Sequence, residues 1–253
     1  MEAVHAAGGW DWVGVRAHEL AAIMPADSGL YAEVISSSKY DMGSMDDVYA
    51  LAEASPGRFF EIPAPLCLFE FSDGGQVQWY LAGESERYDG VIWRCFVKDG
   101  DGTHRASVLA LIKKNGDTNY GRIGPNGEVH MILEDEVVEP GEDRILKSIM
   151  GMACAVEVFS CSNVTTVSHS PPKFINSKRL AKGKIPFFTY KTLHITSSPV
   201  SAAKGGDGTH ASPRLHMRRG HIRRIAGGRS VWVRSAMVGD KSLGFADKEY
   251  AVK

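Results

Sequence analysis

The chain has 253 residues, of which 43% are hydrophobic and 23% are charged. This composition is typical of a globular protein with a substantial core, and it excludes a chain that is disordered throughout. No apolar run approaches the roughly 20 residues of a membrane-spanning helix, and the first residues lack the basic and apolar segments of a secretory signal. We therefore expect a cytoplasmic protein with no membrane partner.

The formal net charge of −1 hides a strong asymmetry along the chain. Residues 1–150 hold 25 Asp and Glu against 12 Lys and Arg, whereas residues 151–253 hold 5 against 17. We interpret this as an acidic α+β domain over residues 1–160 and a basic C-terminal region over residues 161–253, which can pack on the first as one domain. The asymmetry predicts a polyanionic partner for the basic region, an electrostatic contact between the two regions, or two domains with different surfaces.

Two helices are expected at the start of the chain. Apolar residues at near-helical spacing from Trp12 to Ile23 predict a helix that ends at Pro25. Ser44 is a suitable N-cap for a second helix over residues 45–54, whose first turn carries two aspartates.

Short β-type runs separated by turn signals follow. The predicted strands are 66–71, 77–81, 91–97, 107–113 and 129–133. Turn sequences such as Asn115-Gly116 supply the positive φ angles that tight hairpins need. The regular spacing predicts an antiparallel meander rather than βαβ units, and an apolar stripe over residues 142–159 predicts a long amphipathic helix that packs on the sheet. The expected fold class is α+β.

The basic region has its own expected elements. Residues 162–175 are predicted to be a connection, residues 176–183 a short helix capped by Asn176, and residues 187–195 a strand. Residues 215–236 are expected to form two strands, which give a basic C-terminal β-hairpin region.

Neither a metal site nor a cofactor site is expected. The four cysteines lack a C-x-x-C pair and lie mostly in apolar runs, so we expect reduced core thiols. The sequence has no phosphate-binding G-x-x-x-x-G-K-[ST] loop and no G-x-S-x-G motif.

The densest functional signal is the arginine- and histidine-rich stretch 214–234. Guanidinium groups bind phosphate through paired hydrogen bonds, and an indole ring can stack on a base. If residues 215–225 form one strand, cations occupy both of its faces, so the strand must be exposed. The predicted nucleic-acid contacts are Lys178, Arg179, Lys182, Arg218, Arg219, Arg223, Arg224, Arg229 and Trp232. The alternative is that these cations pair with the surplus of acids in residues 1–150.

His216 and His221 are the candidate catalytic residues. Two imidazoles beside arginines can act as acid and base in phosphodiester cleavage. On an ideal strand they point to opposite faces, so they meet only if the chain bulges at Gly220. A structural role, or passive binding of phosphate, is the alternative.

The same stretch also carries a resemblance. The pattern H-x-R-R-G-H-x-R from His216 to Arg223, with the V-W-V-R that follows it, resembles a C-terminal signature of uncharacterised bacteriophage and prophage proteins. An upstream element is similar over Pro172, Asn176, Lys178, Arg179, Gly183, Lys184 and Pro186. The resemblance covers roughly the last 80 residues and implies a phage protein that acts in the bacterial cytoplasm, without implying a reaction.

The leading hypothesis from the sequence is a phage-encoded intracellular protein that binds RNA or DNA through its basic C-terminal region. The first alternative is an effector that engages or inhibits a host protein. A nuclease that depends on His216 or His221 is the third.

Overall fold

The computed structural model describes residues 15–54, 61–73, 76–99, 102–123, 129–133, 136–195, 214–218, 221–225, 227–233, 236–238 and 240–245. Within these residues the helices are α1 (Ala17–Ala22), α2 (Gly29–Ser36), α3 (Met45–Ala54), α4 (Pro140–Val156) and α5 (Lys173–Ala181). The strands up to residue 195 are β1 (Ser38–Asp41), β2 (Leu66–Asp73), β3 (Gln76–Ser85), β4 (Gly90–Asp99), β5 (Gly102–Lys113), β6 (Thr118–Ile123), β7 (Val129–Met131), β8 (Val164–His169) and β9 (Tyr190–Ile195). The later strands are β10 (Arg214–Arg218), β11 (His221–Arg224), β12 (Ser230–Val233), β13 (Ala236–Val238) and β14 (Asp240–Phe245).

A large mixed sheet organises the molecule, which confirms the α+β class. Its nine strands lie in the order β7-β6-β5-β4-β3-β2-β1-β9-β8. Strands β2 to β7 form an antiparallel meander, in which β6 was not predicted. The prediction of a purely antiparallel sheet is wrong, because β1 runs parallel to both β2 and β9. The chain passes from β1 through α3 to β2, and such a crossover makes neighbouring strands parallel.

Each face of the sheet is covered by two helices. Because side chains alternate along a strand, Phe69 on β2 faces the side of α3 and α4, while its neighbour Leu68 faces the side of α1 and α2. Both side chains are fully buried, as are Trp93 on the first face and Trp79 on the second. We name these two sides the α3–α4 face and the α1–α2 face.

The predicted helix over residues 45–54 is confirmed as α3, whereas the first helix is shorter than predicted. Helix α1 ends at Ala22, and Trp12 lies outside the described residues. Helix α4 begins at Pro140, where the Glu142 carboxylate accepts a hydrogen bond from the Glu139 N–H over 3.2 Å. It buries Ile149 and Met152, among others, on the α3–α4 face and continues into a 3₁₀ turn, Glu157–Ser160.

Residues 161–195 add two strands to the sheet. The prediction of a connection over residues 162–175 is wrong, because β8 occupies Val164–His169 and forms the edge beyond β9. Strand β8 is largely exposed on both faces and therefore lacks the alternation that reveals a half-buried strand. Helix α5 begins at Lys173, so Asn176 lies within the helix and is not its N-cap.

The strands beyond residue 213 form two small sheets. Strand β10 lies between β13 and β14, while β11 pairs with β12 in an antiparallel ladder. Strands β10 and β11 therefore belong to different sheets. Arg219 and Gly220, on which the predicted faces and the bulge of a strand over residues 215–225 depend, lie outside the described residues.

All four cysteines are free, as predicted. Cys67, Cys95 and Cys161 are buried, and burial raises the pKa of the Cys67 and Cys95 thiols to about 12. These thiols stay protonated at neutral pH and are poor nucleophiles. Among the residues that the structure describes, no helix combines the length and the apolar character that crossing a lipid bilayer requires.

Candidate functional site

The segment around α5 contains cations without acids. Between Glu157 and Asp207 the sequence has no Asp or Glu, and residues 158–195 contain six Lys and Arg. Lys178 and Lys182, two of the predicted phosphate contacts, are exposed, and so is Lys184. None of these three forms an ion pair with a residue that the structure describes. The Lys178 ammonium lies 5.7 Å from the centre of the Phe174 ring, in a cation–π contact.

Two side chains of α5 fold the following segment back onto the helix. The Asn176 side chain accepts a hydrogen bond from the Phe187 N–H over 2.8 Å and donates one to the Phe187 carbonyl over 2.9 Å. Arg179 donates through Nε to the Ile185 carbonyl over 2.8 Å. Gly183 ends the helix at a φ of 65°, a left-handed conformation that favours glycine. The basic segment is thereby held in one conformation.

Arg179 is half-buried, in contrast to its lysine neighbours. Its guanidinium carbon lies 4.0 Å from the centre of the Phe187 ring. Such a cation–π contact and the bond through Nε fix the plane of the guanidinium. The bond through Nε leaves the two terminal amino groups of Arg179 without a hydrogen-bond acceptor among the described residues.

The hairpin of β11 and β12 holds the second group of predicted contacts. Arg223, Arg224 and Arg229 are exposed on it. Trp232 is half-buried and packs on the α3–α4 face of the core, so most of its ring serves to anchor the hairpin. Asn163 reinforces the anchor by accepting from the Trp232 N–H over 2.7 Å and donating to the Trp232 carbonyl over 2.8 Å.

The two candidate catalytic histidines lie on different sheets. His216 is paired with Val238 in the ladder of β10 and β13, and Arg218 occupies the same strand. His221 is half-buried and pairs with Val233 in the ladder of β11 and β12. The described contacts do not bring the two histidines together.

The two basic groups also lie apart from each other. The segment after α5 packs on the α1–α2 face through Phe188, whereas Trp232 packs on the α3–α4 face. Strand β8 lies between them. Cys161, shortly before β8, forms a bridge with Ser230 of β12, and α5 follows the other end of β8. A six-residue strand spans about 17 Å. The edge strand β8 is thus one surface that links the two groups.

A groove between α1 and α5 brings one predicted residue together with residues that the sequence did not indicate. Arg179 of α5 and His18 of α1 both line it, together with Tyr31 and Lys184. The groove has a volume of about 630 Å³. Burial and the nearby Arg179 lower the pKa of His18, so its imidazole is neutral at pH 7. His18 lies about 160 positions from Arg179 in the sequence, and no local pattern connects them.

Two further buried ionisable groups have structural roles. Lys39 donates to the carbonyls of Val34, Ile35 and Ser37 over 2.7–2.9 Å, which uses all three of its donors, and burial lowers its pKa to about 8. Glu70 accepts two hydrogen bonds from the Arg16 N–H and one from the indole of Trp79. Burial raises the pKa of Glu70 to about 7 despite these donors.

Comparison with known proteins identifies no relative. No protein-family model matches the chain, and no curated protein or solved structure shows significant similarity to it.

Proposed function

We propose that the protein binds nucleic acid through its basic C-terminal region. The observation that carries the proposal is the set of exposed lysines of α5 and of the turn after it, which form no ion pair with a described residue and lie in a segment that has no acidic residue. A surface of this kind attracts a polyanion, since each phosphate contact releases condensed counterions. In this proposal α4 is the long amphipathic helix that supports the sheet, and β11 with β12 is the basic hairpin of the interface.

Hydroxyl side chains support a path between the two basic groups. Thr165, Thr166 and Ser168 on β8 are exposed, and such hydroxyls are common partners of phosphate oxygens. His169 at the end of the strand stacks on Tyr190, with ring centres 4.9 Å apart. A strand of nucleic acid that follows β8 meets lysines at one end and arginines at the other.

The proposal extends to the biological setting. The resemblance of the C-terminal pattern to bacteriophage and prophage proteins supports a phage protein that acts in the host cytoplasm. Binding to a host protein is the alternative, and the acidic residues of the first 150 would then form the contact surface. Cleavage by His216 or His221 is the third role, and it has no support from the described geometry.

Binding to labelled single-stranded RNA and to duplex DNA tests the proposal. The back variant, Lys178→Gln with Lys182→Gln and Lys184→Gln, removes three exposed charges and leaves the contacts of Asn176 and Arg179 in place. The expected result, measured by fluorescence anisotropy at low salt, is at least about tenfold weaker binding by the variant.

A matched control separates this effect from a change in net charge. The front variant, Lys113→Gln with Lys114→Gln and Lys147→Gln, removes the same three charges from the acidic part of the chain. We expect it to bind as the wild type does. Equal loss in both variants, or no binding of either polymer by the wild type, would overturn the proposal and would favour a protein partner. Cleavage that survives both His216→Ala and His221→Ala would exclude the nuclease role for these histidines.

A further inference from the structure

The groove between α1 and α5 combines positive charge with apolar surface. Arg179 and Lys184 line it, together with Tyr31 from α2. The remaining lining includes small or apolar side chains, among them Ala21, Ala22, Met24, Ala26 and Ile185. Small-molecule sites have this character, with mostly apolar walls and a few polar groups that fix orientation.

The charge in the groove is available to a ligand. Among the described residues, Glu19 is the one acid that lines the groove, and its carboxylate is held by Lys98. Arg179 is fixed by Ile185 and Phe187 and presents terminal amino groups that no described residue accepts from. Lys184 is exposed three residues after the end of the helix and forms no ion pair with a described residue. Two cations that line one groove, beside an acid already paired with Lys98, suit a doubly charged group.

The neutral imidazole of His18 adds a second polar feature. Its Nδ1 is buried, and no described atom lies in hydrogen-bonding geometry to it. Its ring meets the edge of Phe187, with ring centres 4.6 Å apart, so the side chain is fixed in place. A buried nitrogen without a partner calls for an explanation, and a ligand in the groove would supply the hydrogen bond.

We infer that this groove binds the terminal nucleotide of a single strand, with its phosphate monoester on Arg179 and Lys184 and its base beside Tyr31 and His18. A volume of about 630 Å³ falls in the range of pockets for ligands of this size. A phosphate monoester carries up to two negative charges at neutral pH, which matches the two cations better than an internal phosphodiester does. The inference rests on the proposed function, because the nucleotide is taken to end a bound strand.

Terminal phosphorylation of an oligonucleotide provides the test. One short single-stranded RNA sequence is prepared with a 5′-phosphate, with a 3′-phosphate and with hydroxyls at both ends, and its binding to the full chain is measured by anisotropy. We expect one of the two phosphorylated forms to bind about tenfold more tightly than the hydroxyl form, as a charge-assisted hydrogen bond predicts. Equal affinity for all three forms would overturn the inference.

Two lysines of the same segment give a matched pair of variants. Lys184→Gln removes a charge that lines the groove, whereas Lys173→Gln removes an exposed charge of the same type that does not line the groove. The preference for a terminal phosphate should vanish in the first variant and persist in the second. Loss of the preference in both variants, or in neither, contradicts the assignment to this groove.

Competition separates a strand end from a free nucleotide. Adenosine monophosphate and inorganic phosphate are added to the complex with the phosphorylated RNA, and both should displace it only at concentrations well above that of unlabelled RNA. Displacement by free adenosine monophosphate at concentrations as low as those of the RNA would overturn the role of the strand. Salt-sensitive binding that ignores the terminal phosphate would overturn this inference alone, whereas no RNA binding at all would overturn the proposed function as well.

Discussion

The acidic residues 1–150, called the front here, and the segment around α5, called the back, differ in the partners of their cations. In the front, Arg94 pairs with Glu33, Lys98 with Glu19, and Arg122 with both Glu136 and Glu142. The lysines of α5 and of the turn after it have no such partner among the described residues. Arg94, Lys98 and Arg122 therefore connect elements of the fold, whereas the described part of the chain offers no such acid to these lysines.

This difference bears on the charge asymmetry of the sequence. If the acids of residues 1–150 served to neutralise the basic region, the lysines of α5 would lie against them. The nearest acid in the α1–α5 groove, Glu19, is instead paired with Lys98 of the front. Among the described residues, the lysines of α5 and of the turn after it are therefore not neutralised by acids of residues 1–150.

The largest expected effect on stability is the difference between a substitution in the core of the front and one on the edge strand β8. Phe69 is fully buried and stacks with Tyr40 and Trp93. Phe69→Ala should lower the free energy of unfolding by about 3–5 kcal/mol. Val167 on the edge strand β8 is 43% exposed. Val167→Ala should change the free energy of unfolding by less than about 0.5 kcal/mol. Urea denaturation measures both, and similar losses would mean that β8 is part of the packed core.

The second effect concerns the buried carboxyl of Glu70. Its pKa in the folded protein is about 7, above the usual 4.5, so between these values the folded state holds a proton that the unfolded chain has released. The free energy of unfolding should therefore fall as pH rises from 4.5 to 7, by on the order of 3 kcal/mol, and level off above pH 7. Thermal or urea unfolding over pH 4.5–8 measures this slope.

Glu70→Gln provides the comparison, because glutamine does not titrate. The variant should lack this contribution to the pH slope, whatever its absolute stability. A slope that is identical in the wild type and the variant would show that Glu70 is ionised across this range and that its three hydrogen bonds outweigh the effect of burial.

A smaller effect is expected where the hairpin joins the sheet. Asn163→Ala removes both hydrogen bonds to the backbone of Trp232. We expect a loss of about 1–2 kcal/mol in the free energy of unfolding and weaker binding of nucleic acid, because the arginines of the hairpin become less fixed. Anisotropy with single-stranded RNA measures the second effect. Unchanged affinity would place the binding surface at α5 alone.

The smallest effect on stability is expected at an ion pair of the front. Arg94→Gln breaks a partly exposed pair with Glu33, whose atoms are 2.8 Å apart, and should cost less than about 1 kcal/mol. Its affinity for RNA should equal that of the wild type. Lys178→Gln should show the reverse, with unchanged stability and reduced affinity, since Lys178 is exposed and unpaired. Matching behaviour of the two variants would remove the distinction between the regions.

Local sequence signals predicted the parts of the fold that local physics determines. The strands of the meander alternate or are apolar and are separated by turn residues, and α3 has an N-cap with acids in its first turn. Strand β1 was missed because it has only four residues and is central through tertiary contacts. Strand β8 was missed because both of its faces are exposed, so polar and apolar residues need not alternate.

The candidate site also has a part that the sequence predicted and a part that it did not. The exposed lysines of α5 were found because charge and the absence of acids are visible in the sequence. The groove was not found, because His18 and Tyr31 meet Arg179 only after the chain has crossed the whole meander. The two histidines of the basic stretch were considered together because they are five positions apart, yet they lie on different sheets.

The salt dependence of RNA binding tests the central claim most directly. The slope of log K against log salt is measured with single-stranded RNA for the wild type, the back variant and the front variant. Each phosphate contact contributes about 0.7 to this slope, so the back variant should have a slope smaller in magnitude by about 2, and the front variant should match the wild type. Equal slopes for the back variant and the wild type would contradict the account, because the unpaired lysines of α5 would then contact no phosphate.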